Sequence, residues 1–282
     1  MARLYGNIDL HIHTVFSDGT NSPEEIVSLV KSAGIKTFSI TDHDTALSAE
    51  ALKGDLDGLK FISGIEFSCK DDEGKYHILG YGFNPNCEEF KGVVKRGHTL
   101  RIEKTAKRIE FLNKEFGFEF EKEEVDRLLS LNNPGKPHIA NLMVKYGYAK
   151  TKEDAIEKFI DKVRFKNEYL TPKEAIKGII EGGGVAVLAH PFYGSGNELI
   201  LGNDMDSRLK TLKGYGLKGL EAYYSGFTDK MREDALFLAE KHDLLITAGS
   251  DYHGGNKLVR LGDTGLSENE LPERLIKFLE TF

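Results

Sequence analysis

An apolar run from Leu4 to Leu10 leads into Asp9-Leu10-His11-Ile12-His13, and no other feature narrows so far what this chain can fold into. Residues i and i+2 of a strand face the same way, so both imidazoles can reach one point beyond the strand's end. Similar clusters recur along the chain. Asp18 stands in Ser17-Asp18-Gly19-Thr20, followed by Thr41-Asp42-His43-Asp44, Ile65-Glu66, Tyr76-His77, Ala189-His190-Pro191 and Ser250-Asp251-Tyr252-His253. Most of these polar groups fall where an apolar, strand-like segment runs out. Imidazoles and carboxylates gathered this way are ligand chemistry for zinc, manganese or iron.

Helices separate the clusters. Ser22-Pro23-Glu24-Glu25 supplies an N-cap, a proline at N1 and a glutamate at N3. Ile26, Val27, Leu29, Val30 and Ala33 form the buried stripe of that helix, and Gly34 stops it. Strands are predicted over 35–40 and over 59–65, the second delivering Glu66 at its end. A hairpin over 67–82 turns at Asp71-Asp72-Glu73-Gly74 and carries His77 on its return arm. After Asn84-Pro85 the pattern turns helical, over 96–116, 120–131, 138–146 and 151–163. Segment 85–169 therefore reads as a helical insertion contributing substrate contacts, with 1–84 and 170–282 forming the body. The rhythm resumes with a second capping box, Thr171-Pro172-Lys173-Glu174. Strands over 185–189, 217–222 and 244–248 follow, with a helix over 228–242. Helices between apolar strands imply parallel pairing, and ligands at strand ends imply an α/β barrel with its site on the C-terminal face.

Composition removes several function classes. The chain has 282 residues, is 40% hydrophobic and 29% charged, and sets 38 Lys plus Arg against 45 Asp plus Glu for a net charge of −7. Wrapping nucleic acid through bulk positive charge is disfavoured, although bound divalent ions would bring the protein close to neutral. Cys69 and Cys87 form no C-x-x-C motif and no disulfide scaffold, which points to a reducing, cytoplasmic setting. No signal peptide or membrane span is expected, and no obligate protein partner is evident. A nucleophile elbow, a Walker motif and a dinucleotide fingerprint are all missing, so water activated by metal is the expected nucleophile.

Taken singly, each of these residues has an ordinary explanation. A lone histidine after a strand is more often a hydrogen-bonded structural residue, Asp18 alone would be a turn residue, and Glu66 could be a solvated strand end. Their repetition favours metal ligation by His11, His13, Asp18, His43, Glu66, His77, His190, Asp251 and His253. Asp42 is the expected support for His43. Candidate catalytic residues are His190, His253 and Asp251. For substrate, Lys136 and His138 in the rigid Pro134-Gly135-Lys136-Pro137-His138 segment could reach phosphate, with Arg164 and Lys166 as weaker candidates. His138 could equally be no more than a helix start. Tyr224 and its aromatic neighbours in Tyr223-Tyr224-Ser225-Gly226-Phe227 could stack on a base or simply pack. His98 and His242 read as surface or structural residues.

The motifs Asp9-Leu10-His11-Ile12-His13-Thr14, Ser17-Asp18-Gly19, Ile40-Thr41-Asp42-His43-Asp44, Gly64-Ile65-Glu66, His77-Ile78-Leu79-Gly80-Tyr81, Leu188-Ala189-His190-Pro191 and Gly249-Ser250-Asp251-Tyr252-His253 together resemble the PHP (polymerase and histidinol phosphatase) superfamily of metal-dependent phosphoesterases. That resemblance implies a distorted (β/α)7 barrel with a helical insertion and two or three divalent ions, manganese, zinc or iron. It implies one ion held by His11, His13, Glu66 and Asp251. A second would lie on Glu66, His77 and His190, and a third on Asp18, His43 and His253. The length and the insertion resemble stand-alone members acting on nucleotides, many of which carry Arg where this chain has Lys136. Lysine keeps the charge and loses the bidentate fork. The implied activity is phosphomonoester hydrolysis of a nucleoside monophosphate or 3′,5′-bisphosphate, by attack of a metal-bridging hydroxide. Alternatives are 5′-3′ exoribonuclease action on short RNA, or a phosphatase for another small metabolite such as histidinol phosphate.

Overall fold

The computed structural model describes residues 7–52, 54, 56–165, 168–194, 199–267 and 271–282. Leu4 and Tyr5 of the first apolar run, and the candidate Lys166, lie outside them. In chain order the elements are β1 (Asn7–Asp9), α1 (Pro23–Ser32), β2 (Ile35–Phe38), α2 (Leu47–Ala51), β3 (Lys60–Phe61), β4 (Gly64–Asp71), β5 (Gly74–Tyr81), α3 (Glu88–Phe116), α4 (Lys122–Leu129), α5 (Lys136–Lys145), α6 (Lys152–Lys158), α7 (Pro172–Glu181), β6 (Val185–Leu188), α8 (Gly202–Gly214), β7 (Gly219–Tyr224), α9 (Asp229–Lys241), β8 (Leu245–Gly249) and α10 (Glu273–Leu279). Both predicted capping boxes form: Ser22 and Thr171 accept from the N3 backbone of α1 and α7 while Glu25 and Glu174 reach back.

The strands make two sheets, and neither closes into a barrel. One is the parallel set β1-β2-β3; the other is β4-β5-β6-β7-β8, antiparallel through β5 and parallel from β6 onward. This corrects the expected (β/α)7 barrel. A barrel needs a continuous staggered ladder around its circumference, and the two seams between these sheets carry isolated bridges instead, Ile12↔Tyr252 and His43↔Glu66. β3 is a two-residue strand, too short to extend a ladder to β4. At both seams the backbone belongs to residues of the motifs, which leave regular strand geometry where they turn toward one another. Asp44 and Asp251 sit at φ 53° and 58°, which ends regular pairing there.

Glu66 also departs from expectation. It lies within the eight-residue strand β4, not at a strand's end. Two further helices, α8 and α10, were not evident from the pattern. Between β5 and α7, helices α3 to α6 pack around a separate apolar cluster of Leu112, Leu128, Ile139, Leu142, Met143 and Ile160, apart from the large core under β4–β8. No helix among the described residues is long and apolar enough to cross a membrane.

Candidate metal centre

His11 and His13 leave the end of β1 flanking Ile12, which is fully buried and bridged to Tyr252. That anchor turns both rings into one buried pocket. Their Nε2 atoms are 3.1 Å apart. Glu66 Oε2 lies 3.4 Å from His11 Nε2 and 3.2 Å from His13 Nε2, and Asp251 Oδ1 lies 3.6 and 3.4 Å from the same atoms. Donors about 2.1 Å from a tetrahedral ion stand roughly 3.4 Å from one another, so Glu66 Oε2 and the two Nε2 atoms are spaced as three donors of a first-row metal site, with Asp251 Oδ1 beside both histidines. Glu66 turns its other oxygen elsewhere: Oε1 is 2.8 Å from His77 Nδ1 and 3.2 Å from His190 Nε2, and those two nitrogens are 3.2 Å apart. On the far side of His13, Asp18 Oδ1 is 3.4 Å from His253 Nε2, and Asp18 Oδ2 is 3.8 Å from His43 Nε2.

The donor set fits divalent ions on chemical grounds. Groups drawn from His11, His13, Glu66; from His43, Glu66, His77; and from His13, Asp18, His43, His253 each converge closely enough to hold an ion. Asp18 Oδ1 and His43 Nδ1 are buried without a hydrogen-bond partner, as expected of groups whose partner is a cation. Electrostatics point the same way. Burial pushes the carboxyls of Glu66, Asp18 and Asp251 up, but neighbouring histidines, with Arg101 at Asp18 and Lys257 at Asp251, hold all three well below the usual range. Burial pulls His43 and His77 down, leaving neutral rings suited to ligation. Burial also opposes charge on His11 and His13, yet the carboxylates around them raise both, His13 to about 9. In the metal-free protein, protons there balance the carboxylates that an ion would otherwise neutralise.

A ring of buried acceptors holds the ligands in place. Asp42 accepts from the Thr14 N–H at 2.7 Å, the Thr14 hydroxyl at 2.7 Å, Ser17 Oγ at 2.6 Å, and Ser48 Oγ, and so fixes the loop between His13 and Asp18. Asp9 accepts from the Ser250 N–H and hydroxyl and from the Gly262 N–H, pinning the end of β1 to the turn that presents Asp251. Glu221 accepts from His11 Nδ1 at 3.0 Å and from the His190 N–H at 2.8 Å. Asp9 is inside the first motif, but its role was invisible without its partner. Glu221 did leave a trace in the sequence, as a single acid between Leu220 and Ala222 in an apolar strand.

Beside the cluster lies a cavity of about 370 Å³, bordered by Asp18, His43 and His77 on one side and by Lys75, Arg101, Lys104, Arg108, Lys136 and Lys257 on others. Arg101, Lys104 and Arg108 fall on one face of α3 and are all buried. Arg101 reaches Asp18 at 3.2 Å and Asp44 at 3.4 Å. Lys104 Nζ sits 3.7 Å from the Tyr169 ring centre, and Arg108 lies over Phe165. Burial pulls Lys104 down to about 7, Arg101 and Arg108 adding to the effect and Asp44 opposing it.

Lys136 lines this cavity and pairs with Asp161 at 2.6 Å. His138 faces elsewhere: its Nδ1 accepts from the Gly135 N–H at the start of α5, and it borders a groove with Glu124, Arg127 and Lys145. Arg164 is exposed and does not border the cavity. Tyr224 donates to Asp251 Oδ2 at 2.9 Å, and Phe227 packs against Phe192, Tyr193 and Tyr224. His98 bonds to the Asn132 carbonyl, and His242, at the end of α9, bonds to Asp206 of α8. Arg101, Lys104, Arg108 and Lys257 were missed as site residues because their spacing on a charged helix or loop also describes a solvated face.

A buried histidine–carboxylate cluster beside a cationic cavity defines a metal-dependent hydrolase of phosphoric esters. Residues 9–171 match the model of the PHP domain, more than half of the chain, and the protein belongs to that family. It is 29% identical over 266 residues to the phosphoribosyl 1,2-cyclic phosphate 1,2-diphosphodiesterase of Eggerthella lenta, covering 87% of this chain and 94% of that one. It is 26% identical to a 5′-3′ exoribonuclease of Haemophilus influenzae, over 90% of this chain and 92% of the other. A solved structure from Bifidobacterium adolescentis, described as a candidate metal-dependent phosphoesterase, superposes with a TM-score of 0.78 at 28% identity, covering 97% of this chain and 96% of that one.

Proposed function

We propose that this phosphoesterase removes nucleotides from the 5′ end of short RNA bearing a 5′-phosphate. The observation that carries the reading is the buried row Arg101, Lys104 and Arg108, with Lys136, facing the ligand cluster across one cavity. Lys104 and Arg108 stand beside a metal centre that would itself hold the scissile phosphoryl group, so the substrate would bring a second one. The Haemophilus influenzae relative supports the ribonucleotide assignment. A cavity of about 370 Å³ suits one nucleotide unit held at its end.

In this reading His11, His13, Glu66 and Asp251 would hold one ion, Glu66, His77 and His190 a second, and Asp18, His43 and His253 a third. Bound there, divalent ions supply Lewis acidity and lower the pKa of water. Lys104, Arg108 and Lys136 bind the terminal phosphate and set the register of the chain, so the ester one nucleotide further on meets the cluster. Arg101 ties that wall to Asp18, and Lys257 and Tyr224 hold the outer oxygen of Asp251. His190, His253 and Asp251 remain the proposed residues in contact with the reacting phosphate.

The test is time-resolved product analysis on manganese-loaded protein, offered RNA trimers with 5′-phosphate or 5′-hydroxyl ends and a nucleoside 3′,5′-bisphosphate. Stepwise mononucleotide release that depends on the 5′-phosphate is the expected result. Release of inorganic phosphate from the bisphosphate, with the trimers left intact, would overturn it in favour of a phosphomonoesterase.

A further inference from the structure

Glu221 is fully buried and belongs to neither the ligand cluster nor the cationic wall, yet it touches both His11 and His190. Its position depends on an irregularity in the sheet. In the β7–β8 ladder Glu221 pairs with Thr247 and Tyr223 with Ala248, so Ala222 is an extra residue. In a regular strand, residues two apart share a face. The bulge breaks that alternation, so that Glu221 and Tyr224, three apart, both turn into the site, where Tyr224 meets Asp251.

Each Glu221 oxygen has a separate task. Oε1 receives the Nδ1 proton of His11, 3.0 Å away, which leaves Nε2 free to face Glu66, His13 and Asp251. Oε2 receives the backbone N–H of His190 at 2.8 Å. His190 has φ 25° and ψ 60°, a left-handed conformation that costs a non-glycine residue about 1 kcal/mol or more. A buried acceptor for its N–H helps hold that turn. The opposite strand leaves room for the contact: a Cβ on Gly249 would stand 2.2 Å from His11 Cβ and 2.4 Å from Glu221 Oε1.

We propose that Glu221 is a positioning residue joining two metal groups, fixing the ring of His11 in one and the backbone of His190 in the other. One carboxylate thereby couples the pair of sites that share Glu66. This goes beyond the substrate assignment and holds for any phosphoester. Removing a partner that orients a metal-bound histidine typically weakens metal binding 10- to 100-fold.

The experiment compares wild type with Glu221→Gln, which keeps the shape but can no longer accept with both oxygens. Mn²⁺ affinity and stoichiometry are measured by calorimetry on chelator-stripped protein. The Zn²⁺-loaded forms are examined by ¹⁵N histidine NMR, and metal-free melting temperatures serve as a control. Expected are affinity losses of roughly 10- to 100-fold in both binding classes together, an altered His11 Nδ1–H signal, and a metal-free melting temperature close to wild type. Wild-type Mn²⁺ affinity with an unchanged His11 signal would overturn the proposal. So would a metal-free melting temperature that falls far enough to make the residue merely structural. Glu221→Ala is the second variant, and equal affinity in the Ala and wild-type proteins would refute the role even if Gln substitutes well.

Discussion

Glu66 and His77 meet diagonally across the β4–β5 hairpin. In the ladder Glu66 opposes Leu79 and His77 opposes Ser68, yet Glu66 Oε1 lies 2.8 Å from His77 Nδ1. Diagonal neighbours on one face of an antiparallel pair are within reach of long side chains, and here the pairing places a carboxylate between two groups of histidines. Glu66→Gln keeps the volume and removes the shared anion. Metal content measured by plasma mass spectrometry should fall, and hydrolysis should drop by more than about 100-fold, the upper end of what losing a mere orienting partner costs. Full occupancy and activity in this variant would remove Glu66 from the centre.

Chelation should separate the fold from the chemistry. The core under β4–β8 does not involve the ligands, so the stripped protein should remain folded but lose phosphoester hydrolysis, regained on adding Mn²⁺. Ions that bind only the native state raise its stability by about 2.7 kcal/mol at a hundred times their dissociation constant. The melting temperature should therefore climb with the logarithm of metal concentration. A flat response across a broad range of Mn²⁺, Zn²⁺ and Fe²⁺ would contradict a resident metal.

The sequence marked the candidate ligands more readily than the frame that holds them. His11 and His13 announce themselves through spacing after an apolar run, and Ser22 and Thr171 mark their helices through local capping chemistry. Sheet closure has no such local signature. The strand-helix rhythm suggested a barrel, but whether the two sheets join at their two seams depends on a two-residue strand and on turns at Asp44 and Asp251. Glu221 was hidden for a similar reason, because a one-residue bulge changes which face a side chain occupies. Arg101, Lys104 and Arg108 follow helical spacing that fits an exposed charged face, and only packing against Tyr169 and Phe165 shows them buried.

Lys104 should trade stability for binding. Its pKa is lowered from 10.5 to about 7 by burial. Between those values the unfolded chain binds more protons at this site than the folded one, so stability rises with pH across the window, and below about 7 the full penalty is present. Lys104→Met should flatten this dependence in urea titrations and add about 1–3 kcal/mol near pH 7, as when buried charge gives way to a well-packed apolar side chain. The same variant should bind nucleoside bisphosphate more weakly. In wild type that binding should weaken as pH rises through about 7 and Lys104 loses its charge. A variant that is less stable at pH 7 and binds as before would contradict both parts.

Gly249 should tolerate no side chain, for reasons of placement and not of backbone freedom. An alanine Cβ there would overlap His11 Cβ and Glu221 Oε1, and overpacking a buried position costs about 1–3 kcal/mol. Because both neighbours serve the metal centre, Gly249→Ala should lower Mn²⁺ affinity as well as the melting temperature. Gly92 provides the control: it lies in α3 with nothing within 4 Å of an added Cβ. Replacing a helical glycine with alanine gains about 0.5–1 kcal/mol, so Gly92→Ala should raise the melting temperature and leave Mn²⁺ binding unchanged. Equal effects of the two substitutions on Mn²⁺ binding would mean that the close approach of β8 to His11 does not position the ligand.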